Sequence, residues 1–163
     1  MIGWLLDTNV LAELANPHGA ARVHAWAAAQ DEPRLYLSIL TLSEYEKGLY
    51  NLPKDSTIRP RIEAALAALD ARFAGWLLPV GDAVVRRWGA ISGDIKRATG
   101  QSPPVIDTVL AATALEHDLY LATRNVRDVQ HSGVAVFNPW TDDPAACRVQ
   151  GRVEAGRGTK RRG

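Results

Sequence analysis

Short apolar runs alternating with stretches of helical spacing restrict this chain to very few folds. The runs cover residues 2–6, 35–39, 76–80, 119–122 and 134–137. Between them, residues 10–15, 20–30, 42–52, 60–73 and 104–117 carry apolar side chains at the spacing of one helix face. A further helix starts near Gly81-Asp82, where Asp82 is placed to cap it, and stops at Thr99-Gly100. Strands separated by helices make right-handed crossover units with parallel strands. The expected fold class is therefore α/β, a three-layer α/β/α arrangement with a mainly parallel central sheet. Such a sheet brings the C-terminal ends of its strands to one edge, and ligands bind in the crevice there.

Four carboxylates are expected near that edge. Asp7 directly follows the first run, Glu44 follows the second, Asp107 stands in the first turn after Pro103-Pro104, and Asp128 follows the fourth run. Each also has a local explanation. Asp7 suits a helix cap, and Thr41-Leu42-Ser43-Glu44 has the spacing of a capping box. Asp107 complements a helix dipole, and Asn125 with Asp128 three residues later resembles a capped first turn. The cap and cleft roles of Glu44 are compatible, because a helix N-terminus at the sheet edge also points into the crevice. Gathered carboxylates repel one another unless a cation sits among them, and oxygen-only ligands suit Mg²⁺ or Mn²⁺. The chain is thus a candidate metal-dependent hydrolase.

Composition narrows the alternatives. With 163 residues, 47% hydrophobic and 23% charged, the chain has material for one core. A single cysteine, Cys147, excludes an internal disulfide and fits a reducing, cytoplasmic setting. No apolar stretch approaches the roughly 20 residues of a membrane span, so no membrane partner is expected. Histidines 18, 24, 117 and 131 show no zinc-ligand spacing, and no P-loop, G-x-S-x-G elbow or G-x-G-x-x-G is present. Residues 148–163 hold six basic side chains against one acid, a net of +5, leaving −4 for the rest of a chain whose total is +1. An acidic body with a basic end is not the composition of a simple nucleic-acid-binding domain.

Taken in order, several stretches resemble the PIN-domain family, and within it the VapC-type toxins of the FitB-like branch. They are Leu5-Leu6-Asp7-Thr8-Asn9-Val10-Leu11, Ser38-Ile39-Leu40-Thr41-Leu42-Ser43-Glu44 and Pro104-Val105-Ile106-Asp107. Ala122-Thr123-Arg124-Asn125 and Val136-Phe137-Asn138-Pro139-Trp140 complete the set. The resemblance implies a nuclease domain over residues 1–141, followed by a basic tail over 142–163. By it, Asp7, Glu44 and Asp107 match the family's metal-holding acids. Relatives place the fourth acid at the position of Asn125 or of Asp128, and Asp128 is assigned here, with Asn125 supporting. Thr8 and Asn9 match polar residues lining the family's site.

The implied activity is endoribonuclease cleavage by a metal-activated water, leaving 5′-phosphate and 3′-hydroxyl ends. The implied partners are RNA, a cognate VapB-like antitoxin and a second copy of the chain as a homodimer. Arg124 and Arg127 lie nearest the expected site in sequence and are the leading RNA-phosphate candidates, ahead of Arg86, Arg87, Lys96 and Arg97. The competing reading is a module that binds RNA or protein on the same fold without turnover. A Mg²⁺-dependent phospho-receiver domain fits less well, since Asp7 is followed by Thr8-Asn9 rather than a second acid.

Overall fold

The computed structural model describes residues 1–150. Five strands, β1 (Gly3–Leu6), β2 (Leu35–Ser38), β3 (Leu77–Leu78), β4 (Leu119–Ala122) and β5 (Val136–Phe137), form one sheet in the order β3-β2-β1-β4-β5. Every pairing is parallel, with Leu5 opposite Tyr36 on one side and Leu121 on the other. The expected α/β sheet is present, with helices on both faces.

The alternation of the central strands explains the layers. Trp4 and Leu6 of β1, with Leu35 and Leu37 of β2, turn to one face. There they meet α1 (Thr8–Ala15) through Val10 and Leu11, and α2 (Ala21–Ala28) through Val23 and Trp26. Leu5, Tyr36, Leu119 and Leu121 turn to the other face and meet Leu110, Ala111 and Ala114 of α6 (Val105–Glu116). Outside α6 lies α5 (Asp82–Thr99), which contributes Val84, Ile91 and Ile95 around Ala112. Between β2 and β3 run α3 (Ile39–Tyr50) and α4 (Arg59–Phe73), and one turn, α7 (Val126–Val129), follows β4.

The structure departs from the expected boundaries at four elements. The third helix begins at Ile39, not at residue 42, because Ser38 caps it by accepting a hydrogen bond from the Leu40 amide (3.2 Å). Thr41 is therefore not the cap but a buried residue inside the first turn, and Glu44 lies one turn deeper than a capping box requires. Asp82 does not cap α5 either. Gly81 occupies that position, and Asp82 pairs instead with Arg86 one turn on (2.8 Å). The edge strands are shorter than expected, two residues each.

Two glycines answer backbone demands. A β-carbon on Gly3 would stand 2.3 Å from the Arg34 carbonyl oxygen, and Gly100 ends α5 at φ 77°. Part of the expected basic tail returns to the body. Cys147 and Val149 pack against the cluster around Trp4, the Arg148 amide donates to the Tyr120 hydroxyl (3.0 Å), and the Gln150 amide donates to the Met1 carbonyl (2.9 Å). Residues 151–163 of that expected tail lie outside the described residues. No helix among the described residues is long and apolar enough to cross a membrane.

Candidate metal centre

At the C-terminal edge of β1 the chain turns directly into α1, and Asp7 is the pivot. Its amide donates to the Ala122 carbonyl at the end of the neighbouring β4 (3.1 Å), which ties the pivot to the sheet. Its carboxylate caps α1 by accepting the Thr8 amide at Oδ1 (2.6 Å). The other oxygen, Oδ2, accepts from Asn9 Nδ2 (2.6 Å) and from the Thr123 hydroxyl (2.6 Å). The helix-cap reading of Asp7 therefore holds together with its place at the crevice.

Asp7 opens onto a cleft of about 610 Å³ at this edge. Glu44, from the second turn of α3, and Asp107, from the first turn of α6, stand in the same cleft with Thr8, Asn9 and Asn125. The Thr8 hydroxyl donates to Glu44 Oε2, and Asn125 Nδ2 donates to Asp107 Oδ1 (3.1 Å). Each carboxylate thus has a neutral polar neighbour that orients it.

Asp128 is not among them. It sits on α7, one helical turn past Asn125, and lines an adjacent hollow instead. The fourth polar position of the cleft belongs to Asn125. The sequence reading also passed over Thr123. This residue is buried and receives hydrogen bonds from Asn9 Nδ2 (3.1 Å) and the Asn125 amide (2.9 Å) while donating to Asp7. Its signal was positional, a hydroxyl at the end of β4 beside the pivot strand.

Asp7 is only 5% exposed, and burial pushes its carboxyl above the ordinary value. The hydrogen bonds from Thr123 and Thr8 pull it back, while the charges of Asp107 and Glu44 raise it further. Such mutual repulsion is what a cation relieves. Among the described residues, no group of three or more His, Cys, Asp or Glu side chains stands close enough together to hold a metal ion as it is. Asp7, Glu44 and Asp107 are each engaged by a neutral donor, so their oxygens would have to be shared with a cation. The donor set is carboxylate oxygen with hydroxyl and amide oxygen nearby, and it fits a hard divalent ion.

Arg124 lines the same cleft, with its guanidinium 5.0 Å from the centre of the Trp140 ring. Its amide donates to Asn9 Oδ1 (3.2 Å). Arg127 belongs to the adjacent hollow with Asp128. Arg86, Arg87 and Arg97 are occupied by Asp82, Glu116 and Asp94.

A five-stranded parallel sheet with three acids at its C-terminal edge defines a recognisable class, and the chain belongs to the PIN-domain family, whose profile matches residues 4–131. Within that class it is similar to Toxin FitB of Neisseria gonorrhoeae, at 36% identity over 141 residues, spanning 85% of this chain and 99% of that protein. It is also similar to VapC ribonuclease Y4jK of Sinorhizobium fredii, at 35% identity over 140 residues, spanning 83% of this chain and 96% of that protein. The crystal structure of FitAcB from Neisseria gonorrhoeae superposes with a TM-score of 0.76 and 33% identity, covering 84% of this chain and 98% of that one.

Proposed function

We propose that this protein is a Mg²⁺- or Mn²⁺-dependent endoribonuclease and the toxin of a toxin–antitoxin pair. The observation that carries the reading is the convergence of Asp7, Glu44 and Asp107 in one cleft of a PIN-domain fold. It is supported by relatives named a toxin and a ribonuclease across nearly their whole length. Asp7, Glu44 and Asp107 would hold the cation, with Asn125 beside them in place of a fourth acid. When bound, a divalent ion there supplies water activation and neutralisation of phosphate charge.

The chain's own groups do the rest. Thr8, Asn9 and Thr123 fix the Asp7 carboxylate, and Asn125 fixes that of Asp107. Arg124 at the cleft offers a guanidinium to a phosphate, beside the face of Trp140. Phosphate contacts position RNA without reading its sequence. The expected products carry 5′-phosphate and 3′-hydroxyl ends. A VapB-like antitoxin and a homodimeric state follow from the same family reading.

The test is cleavage of total cellular RNA by purified protein with Mg²⁺ or Mn²⁺, with EDTA, and beside Asp7→Asn. Discrete fragments that need both metal and Asp7 are expected. Cleavage by Asp7→Asn at the wild-type rate would overturn the assignment. Metal-binding wild-type protein that leaves RNA intact would favour a binding module.

A further inference from the structure

The hollow beside the acidic cleft measures about 230 Å³ and shares a wall with it at Pro104. One short stretch of chain also serves both. Arg124 and Asn125 line the cleft, while Arg127, Asp128, Gln130 and His131 line the hollow. Gln101, in the loop between α5 and α6, lines the hollow as well. A strand leaving the cleft over Pro104 enters this hollow next.

The hollow is rich in polar groups that the fold itself does not use. The side chains of Arg127, Gln101, Gln130 and His131 have no hydrogen-bond or ion-pair partner among the described residues, and all four are exposed. This contrasts with Arg86, Arg87 and Arg97, whose charges are answered by carboxylates on the protein. The guanidinium fork of Arg127 matches phosphate oxygens. Gln101 and Gln130 offer amides that both donate and accept, and Asp128 offers an acceptor. A free phosphate has no use for that acceptor. A ribonucleotide does, because its 2′-hydroxyl and base amino groups are donors.

We propose that this hollow is a nucleotide subsite that seats a ribonucleotide flanking the scissile bond. Arg127 takes its phosphate, and Gln101, Asp128, Gln130 and His131 take its sugar and base. The inference rests on the ribonuclease reading of the neighbouring cleft. It gives a role to Arg127 and Asp128, which the cleft itself leaves aside.

The test is the binding of a fluorescent RNA oligomer to the full chain in EDTA, where no cleavage is needed, alongside cleavage with Mn²⁺. Variants are Arg127→Ala, Gln130→Ala with His131→Ala, and Arg34→Ala as a charge control just before β2, at the sheet edge opposite the cleft. Arg127→Ala should weaken RNA binding about tenfold and lower the salt slope of log affinity by about 0.7. In cleavage it should raise KM by the same factor with kcat within twofold, and Arg34→Ala should change neither. Asp128→Ala, which removes the acceptor, should narrow the preference for RNA over DNA of the same sequence. RNA cleaved by wild type with unchanged KM and affinity in both hollow variants would overturn the subsite and leave the nuclease reading standing. Arg127-dependent binding without any cleavage would overturn the nuclease reading and, with it, the placement beside a scissile bond, leaving only a nucleotide-binding hollow.

Discussion

Asp7 answers two opposed demands, since it is buried where it caps α1 and, in the proposed function, would be charged to hold a cation. Burial raises its proton affinity, as do Asp107 and Glu44. The native state therefore binds a proton more tightly than the unfolded chain does. Stability is lost as pH rises from the ordinary aspartate value through the raised one, and stays at the lower level above it. In EDTA, the stability of Asp7→Asn relative to wild type should accordingly be greater at pH 7 than below the ordinary aspartate value. Thermal unfolding at both pH values checks it, and a variant less stable at pH 7 than at pH 4, relative to wild type, would contradict it. Thr123→Val removes the hydroxyl that orients Asp7 Oδ2 and should lower metal affinity or activity by about 10–100-fold with little change in fold, measured by metal titration. The acids at 7, 44 and 107 were legible because carboxylates beside apolar runs are rare and conspicuous. Thr123 was not, because an uncharged hydroxyl at a strand end carries no such mark. Asp128 was ranked ahead of Asn125 from sequence, yet Asn125 is the one that lines the cleft, because one turn of helix separates them and its direction is set by tertiary packing.

The elements show where pattern suffices and where it fails. Alternation in β1 and β2 sorts Trp4, Leu6 and Leu37 from Leu5 and Tyr36 onto opposite faces, and that much is readable from period alone. The junction of β2 and α3 was misplaced because residues 35–40 are nearly unbroken in apolarity, and such a run does not distinguish strand from helix. The decisive atom is the Ser38 hydroxyl, buried at the strand end and turned to the Leu40 amide. The edge strands β3 and β5 were overestimated because each has one neighbour, so apolar residues beyond the paired stretch pack without joining the ladder. In the central strand, Gly3 admits the close approach of the Arg34 carbonyl to β1. Gly3→Ala should force that contact apart and cost about 1–3 kcal/mol in a denaturant titration. A midpoint equal to wild type would show that the loop before β2 yields freely.

At the scale of the whole molecule, the open question is where the cooperative unit ends. Composition marks a change near residue 142, where apolar periodicity fades and basic residues gather. The backbone nevertheless continues along the body. Arg22 holds the carbonyls of Thr141 (3.2 Å) and Asp142 (2.7 Å), and the Asp142 carboxylate accepts the Asn138 amide (2.8 Å). Beyond a short 3₁₀ turn at Pro144–Ala146, Cys147 and Val149 cover the aromatic cluster of Trp4, Trp26, Tyr120 and Phe137. A chain ending at Thr141 loses these contacts and leaves part of that cluster to water. Burial of two small, partly covered side chains with their hydrogen bonds corresponds to about 1–3 kcal/mol. For a domain of this size each kcal/mol shifts the melting temperature by about 2–4 °C. The shortened chain should therefore melt several degrees lower in a calorimetric scan. The proposed cleft is built from residues before 126, and its Arg124–Trp140 stack is retained, so RNA cleavage per folded molecule at 25 °C should persist. Equal melting temperatures would place the boundary of the folding unit at 141, whereas a lowered one places residues 142–150 inside it.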